Sequence, residues 1–148
     1  EFELINNTVE FNVTKNVYQY KYAPNDPSMY KEAKYTWLKN IYFDENKSEI
    51  KNTDNALIKK ISSYLINNPS TFLLIEGHSD QNGNSAYNLS LGNERSKAVF
   101  DALIDSGISE TQMSMVSYGK EHTKSDDPVL NRRVEFKFYK ARDWTLSQ

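Results

Sequence analysis

Six residues, Thr71 to Glu76 (TFLLIE), form a nearly continuous apolar run, preceded by Asn67-Asn68-Pro69 and followed by Gly77. A short apolar run with breakers at both ends reads as a strand in the middle of a sheet. What flanks it fixes the rest. Upstream, Leu57, Ile58, Ile61, Tyr64 and Leu65 recur at helical spacing, and Thr53 and Asp54 offer the helix its N-terminus. Downstream, Leu91, Ala98, Val99, Ala102 and Leu103 share one helical face, and Gly107 suits the position just past the helix end. Leu38, Ile41, Tyr42 and Phe43 make a short strand before the first helix, and Met113–Tyr118 one after the second. Val134, Phe136 and Phe138 alternate with Glu135 and Lys137, the pattern of a half-exposed final strand. The order β-α-β-α-β-β predicts an α/β sandwich: a mixed sheet with its helices on one face.

A chain of 148 residues suits one such domain with a short addition. Residues 1–36 differ in texture. Phe2, Leu4, Val9, Phe11, Val13, Val17, Tyr18, Tyr20 and Tyr22 recur at short spacing, and Pro24-Asn25-Asp26-Pro27 punctuates them as a turn. We expect a strand-like N-terminal extension over 1–36, the main domain over 37–140, and a tail over 141–148. A net charge of −2 removes the general attraction on which nucleic-acid binders depend. With no cysteine, disulfides and thiolate metal sites are excluded. No apolar run nears the roughly 18 residues that span a bilayer.

Chemistry concentrates in Ile75–Val99 (IEGHSDQNGNSAYNLSLGNERSKAV), where the central strand gives way to a polar loop and then a helix. Loops at strand ends and helix N-termini are common sites in α/β folds. Asp80 follows the strand, Arg95 is expected in the first turns of the helix, and the helix N-terminus offers free N–H groups. Such a set suits a small zwitterion: Arg95 and the amides for a carboxylate, Asp80 for an ammonium. The plainer reading has Asp80 capping a turn and Arg95 as a solvated helix charge. Asn131-Arg132-Arg133 either protects a sheet edge by charge or adds a cation to the same pocket.

Enzyme readings fare worse. Glu76, His78 and Asp80 alternate as if on one strand face, but the chain has two histidines and no HExxH pair. No metal site, catalytic residue or cofactor is expected. Ser79 and His78 are neighbours on a strand, so they face opposite ways and make no nucleophile–base pair. His78 reads instead as a packed, hydrogen-bonded anchor of the loop. Asp126-Asp127 and Glu45/Glu49 read as solvated charges.

These residues resemble the OmpA-like peptidoglycan-binding domain, particularly its peptidoglycan-associated lipoprotein branch. The family pattern GHTDxxGxxxYNxxLxxxRxxxV is met in register by Gly77-His78-Ser79-Asp80, Gly83, Tyr87-Asn88, Leu91, Arg95 and Val99. Ile41–Ile50 (IYFDENKSEI), Val116–Glu121 (VSYGKE) and Asn131–Phe136 (NRRVEF) are similar to its opening and closing motifs. The resemblance implies non-covalent, non-enzymatic binding of peptidoglycan through the meso-diaminopimelate of its stem peptide. Asp80 would take the ligand's ammonium and Arg95 its carboxylate, with Asp44, Asn88 and Arg132 lining or shaping the pocket. Three features depart from the pattern: Ser79 replaces the usual Thr, Glu94 precedes Arg95 as a competitor for it, and the loop 119–131 is short.

The same resemblance implies the periplasm of a double-membraned bacterium, with outer-membrane association through a tether absent from this chain. The alternative to a plain anchor is a wall-docking subunit of a secretion system or motor, with residues 1–36 binding envelope protein partners.

Overall fold

The computed structural model describes residues 10–14, 17–21 and 30–141. Seven strands form one sheet in the order β1-β2-β6-β5-β7-β3, with β4 also pairing β7. The strands are β1 (Glu10–Thr14), β2 (Val17–Lys21), β3 (Tyr30–Ala33), β4 (Ile41–Tyr42), β5 (Thr71–His78), β6 (Met113–Gly119) and β7 (Arg133–Ala141). The helices are α1 (Asn55–Asn67), α2 (Ser85–Asp105) and the single turn α3 (Pro128–Asn131). Among the described residues only β5 and β6 pair in parallel; β7 runs antiparallel to β5 on its other side. The expected mixed α/β sandwich is the fold observed.

The helices lie on one side because the strands alternate. Leu73 and Ile75 of β5, Met113 and Met115 of β6, and Val134, Phe136 and Phe138 of β7 meet Ile58, Ile61 and Leu65 of α1 and Val99, Phe100 and Leu103 of α2 in one buried cluster. Removing such side chains from water contributes about 25 cal/mol per Å2 of apolar surface, the main favourable contribution to folding. Helix α2 ends as its sequence dictates. Gly107, at φ +97°, lets its own N–H reach Ile104 O (2.9 Å) and that of Ile108 reach Leu103 O (3.1 Å).

The segment before β4 is fastened by aromatic rings. Tyr35 lies 5.7 Å from Trp37 and 5.2 Å from Tyr64, while Tyr64 lies 4.6 Å from Phe138. Tyr35 and Tyr64 also share a hydroxyl–hydroxyl hydrogen bond of 2.7 Å. The N-terminal strands join the same sheet at two places. The hairpin β1–β2 extends it beyond β6, and β3 extends it beyond β7. The turn expected at 24–27 and the tail beyond Ala141 lie outside the described residues. Within the loop expected at 119–131, Asp127 caps α3 by accepting from Val129 N at 3.0 Å, a short helix the pattern did not reveal.

A candidate ligand-binding site at the end of strand β5

Helix α2 and strand β5 touch backbone to backbone. A Cβ on Gly77 would stand 1.9 Å from the carbonyl oxygen of Gly92. That approach sets the position of Arg95, one turn beyond Gly92 on the same helix face. Arg95 lies in the middle of α2 rather than in its first turns, a correction to the expected placement. The helix N-terminus is separately capped, Asn84 Oδ1 accepting from Tyr87 N at 2.7 Å.

Arg95 is fully buried, with 0% exposure. Its guanidinium donates to three carbonyls from two distant segments: Nε to Lys47 O (2.8 Å), Nη1 to His78 O (2.9 Å) and Nη2 to Asp44 O (3.1 Å). The ring of Phe43 lies 5.4 Å from its central carbon. Burial pulls its pKa down to about 10, against the pull of Asp80, so it stays charged at neutral pH. A buried cation needs such partners. Arg95 is therefore not the solvated helix charge of the plainer reading: it pins the loop after β4 to the end of β5. Two of its five N–H groups remain after these three bonds.

Asp80 is 6% exposed. Oδ1 accepts from the backbone N–H of Asn82 at 2.9 Å, and Oδ2 faces Arg132 Nη1 at 3.4 Å. Arg132 is held in turn by Phe43 O, 3.0 Å from its Nε. Asn88 donates from Nδ2 to Asn82 O at 2.7 Å, tying the loop to α2. Asp80, Arg95 and Arg132 thus come from β5's end, α2 and β7's start to one place, with Asn88 holding the loop between them. Asp44 reaches it only through its backbone. Its carboxylate is 64% exposed and pairs with Lys51 Nζ at 3.2 Å.

Other residues depart from their expected places. Asp80 sits past the end of β5, so it does not share a strand face with Glu76 and His78. His78 is packed, yet neither ring nitrogen has a hydrogen-bond partner. Arg133 turns away from Arg132, donating to Glu135 and to His122 O (3.1 Å). The Lys47 carbonyl was missed, because no side-chain pattern marks a backbone acceptor. Glu94 is exposed and makes no ion pair with Arg95.

Fold and site together define a small α/β sandwich with an arginine-anchored loop at the end of its central strand. Residues 42–135 match the OmpA family, and the chain belongs to that family. It is 33% identical over 117 residues to a peptidoglycan-associated lipoprotein of Pseudomonas aeruginosa, covering 76% of this chain and 69% of that one. It is 35% identical over 101 residues to outer membrane porin F of the same species, covering 64% of this chain but 29% of the porin. The crystal structure of the peptidoglycan-associated lipoprotein from Burkholderia pseudomallei superposes with a TM-score of 0.65 at 35% identity, over 67% of this chain and 88% of that one. The C-terminal domain of Helicobacter pylori MotB shares the fold, with a TM-score of 0.64 at 22% identity, over 74% and 89% of the two chains.

Proposed function

We propose that this domain anchors its parent protein to the cell wall by non-covalent binding of peptidoglycan, gripping the meso-diaminopimelate of the stem peptide. The observation that carries this reading is the convergence of Asp80, Arg95 and Arg132 in a chain of the OmpA family. The free end of diaminopimelate is a zwitterion. Its ammonium goes to Asp80, where Asn82 N–H already orients the carboxylate. Its carboxylate goes to the remaining N–H groups of Arg95, whose three carbonyl bonds fix the plane of the guanidinium; because Arg95 is fully buried in the free protein, the Asp80–Arg132 pair beside it must part to admit the ligand. Arg132 adds positive charge while balancing Asp80 in the free protein. Asn88 positions the loop, and Asp44 contributes its carbonyl. The site needs no catalytic group, and the domain acts as a binding module. The reading implies the periplasmic side of the envelope, in association with the outer membrane.

Co-sedimentation with purified sacculi tests it. Diaminopimelate differs from lysine by one carboxylate, so the protein should sediment with diaminopimelate-type wall and not with lysine-type wall. Hydrogen bonds to charged groups contribute about 1.5–3 kcal/mol, so Asp80→Ala should weaken binding about 10- to 150-fold. Equal sedimentation of wild type and Asp80→Ala would overturn the assignment.

A second reading, a wall-docking subunit of a secretion system or motor, is favoured by the β1–β2 hairpin, which lies outside the family-matched segment. A truncation testing it should stop before Tyr30, because β3 and Tyr35 pack on the main sheet. Loss of partner capture with wall binding retained would support it.

A further inference from the structure

The sheet face turned away from the helices carries a second polar cluster, and nothing in the wall-binding reading uses it. Glu76 and Glu135 are register partners on β5 and β7, and His78 follows two residues along β5. Alternation places all three on the face opposite the core. One ligand-type atom of each lies within 4.8 Å of the other two. His78 is 2% exposed and both its ring nitrogens lack a hydrogen-bond partner. Buried polar groups without partners are rare and each is costly, so an orphaned imidazole beside two carboxylates needs a reason. Tyr118 stacks on its ring at 5.5 Å, and the exposed His122 stacks on Tyr118 at 4.0 Å, at the rim of the cluster.

We propose that Glu76, His78 and Glu135 form a site for a divalent transition-metal ion, Zn2+ foremost, with His122 beside its open side. One imidazole nitrogen and two carboxylates suit zinc and its neighbours.

Two cations already serve the carboxylates, and they differ. Arg133 bonds Glu135 and is fixed by the carbonyls of Asn131 (3.2 Å) and His122 (3.1 Å), so it stays. Lys137 touches Glu76 at 3.3 Å through a side chain 38% exposed, and its ammonium can leave for solvent. Metal binding is then an exchange: the ion takes the place of Lys137 while Arg133 holds Glu135 in position.

The exchange gives a test whose signs differ between variants. Chelator-treated protein is titrated with Zn2+ by calorimetry, Mg2+ serves as the hard-ion comparison, and Co2+ absorption reports the ligand geometry. The site predicts one Zn2+ per chain, no comparable Mg2+ binding, and a broadened or shifted His78 ring resonance. Glu135→Gln and His78→Phe should weaken Zn2+ at least about 10-fold. Lys137→Met should bind it more tightly than wild type, because the competing ammonium is gone. Circular dichroism of each variant separates lost ligands from lost fold, and Lys137→Met keeps the test decisive if His78→Phe fails to fold. Zn2+ binding unaffected by Glu135→Gln, or no stoichiometric binding by either wild type or Lys137→Met, would overturn the proposal. Neither result bears on wall binding, which uses the other side of β5.

Discussion

The two faces of the sheet at the end of β5 treat buried charge in opposite ways. Toward the loops and α2, Arg95 is enclosed and held by three backbone carbonyls, and Asp80 has a backbone N–H and an arginine. Toward the open face, Glu76 and Glu135 are each paired with one side-chain cation, and His78 has no partner for its ring. Backbone acceptors cannot move without moving the fold, so the first side is rigid. Side-chain partners such as Lys137 can swing away, so the second can exchange. Precise recognition of a small zwitterion belongs on the rigid side, and exchange of one cation for another on the adaptable one.

The sharpest way to break this contrast is Arg95→Ala. It orphans the carbonyls of Lys47, His78 and Asp44, and urea unfolding should register a loss of about 3–5 kcal/mol, the scale for breaking a buried, hydrogen-bonded charge network. Arg95→Lys should recover only part of it, since one ammonium cannot reproduce the planar fork. A loss below about 1 kcal/mol would mean that Arg95 does not hold the loop. Gly77→Ala comes next. Its Cβ would drive into the Gly92 carbonyl at 1.9 Å, so helix and strand must part. The expected cost is about 3 kcal/mol, at the upper end for overpacking, and thermal unfolding measures it.

Asp80→Asn should change stability by less, about 1–2 kcal/mol, because the amide oxygen can still accept from Asn82. Sacculus binding should nonetheless fall about 10-fold or more, since the negative charge for the ammonium is gone. The smallest effect belongs to the adaptable side. Lys137→Met should shift metal-free stability by no more than about 1 kcal/mol, because Lys137 is 38% exposed and the buried Glu76 carboxyl it leaves behind, its pKa already raised by desolvation, can take up a proton. A larger loss would show Lys137 to be as fixed as Arg95, and the contrast would fail.

Much of this was legible in the chain. The apolar run 71–76, the two helical stripes and the alternation of 134–138 gave the element order, because burial imposes periods of two and 3.6 on any such sheet and helix. Asp80 and Arg95 stood out by residue type and place, Arg132 as one of two adjacent arginines, and Asn88 only through the family resemblance. Other features were hidden. Asp44 was expected, by resemblance, to line or shape the pocket, and nothing in the sequence says that its side chain pairs with Lys51 while its carbonyl accepts from Arg95. Glu135 read as one exposed step of a strand, because nothing in 133–137 says that Glu76 lies opposite it. His78 read as hydrogen-bonded, since most buried histidines are.

By itself, then, the sequence determined the main strands and the two long helices, where α2 ends, and which residues carry charge at the end of β5. Those are local properties, set by side-chain periodicity and by the backbone freedom of residues such as Gly107. The tertiary structure alone decided what each charge meets. Arg95 finds carbonyls 48 and 51 residues away, and Glu76 and His78 find Glu135 across a strand pairing. Register and helix–sheet approach set those distances, and both come from packing the whole core at once.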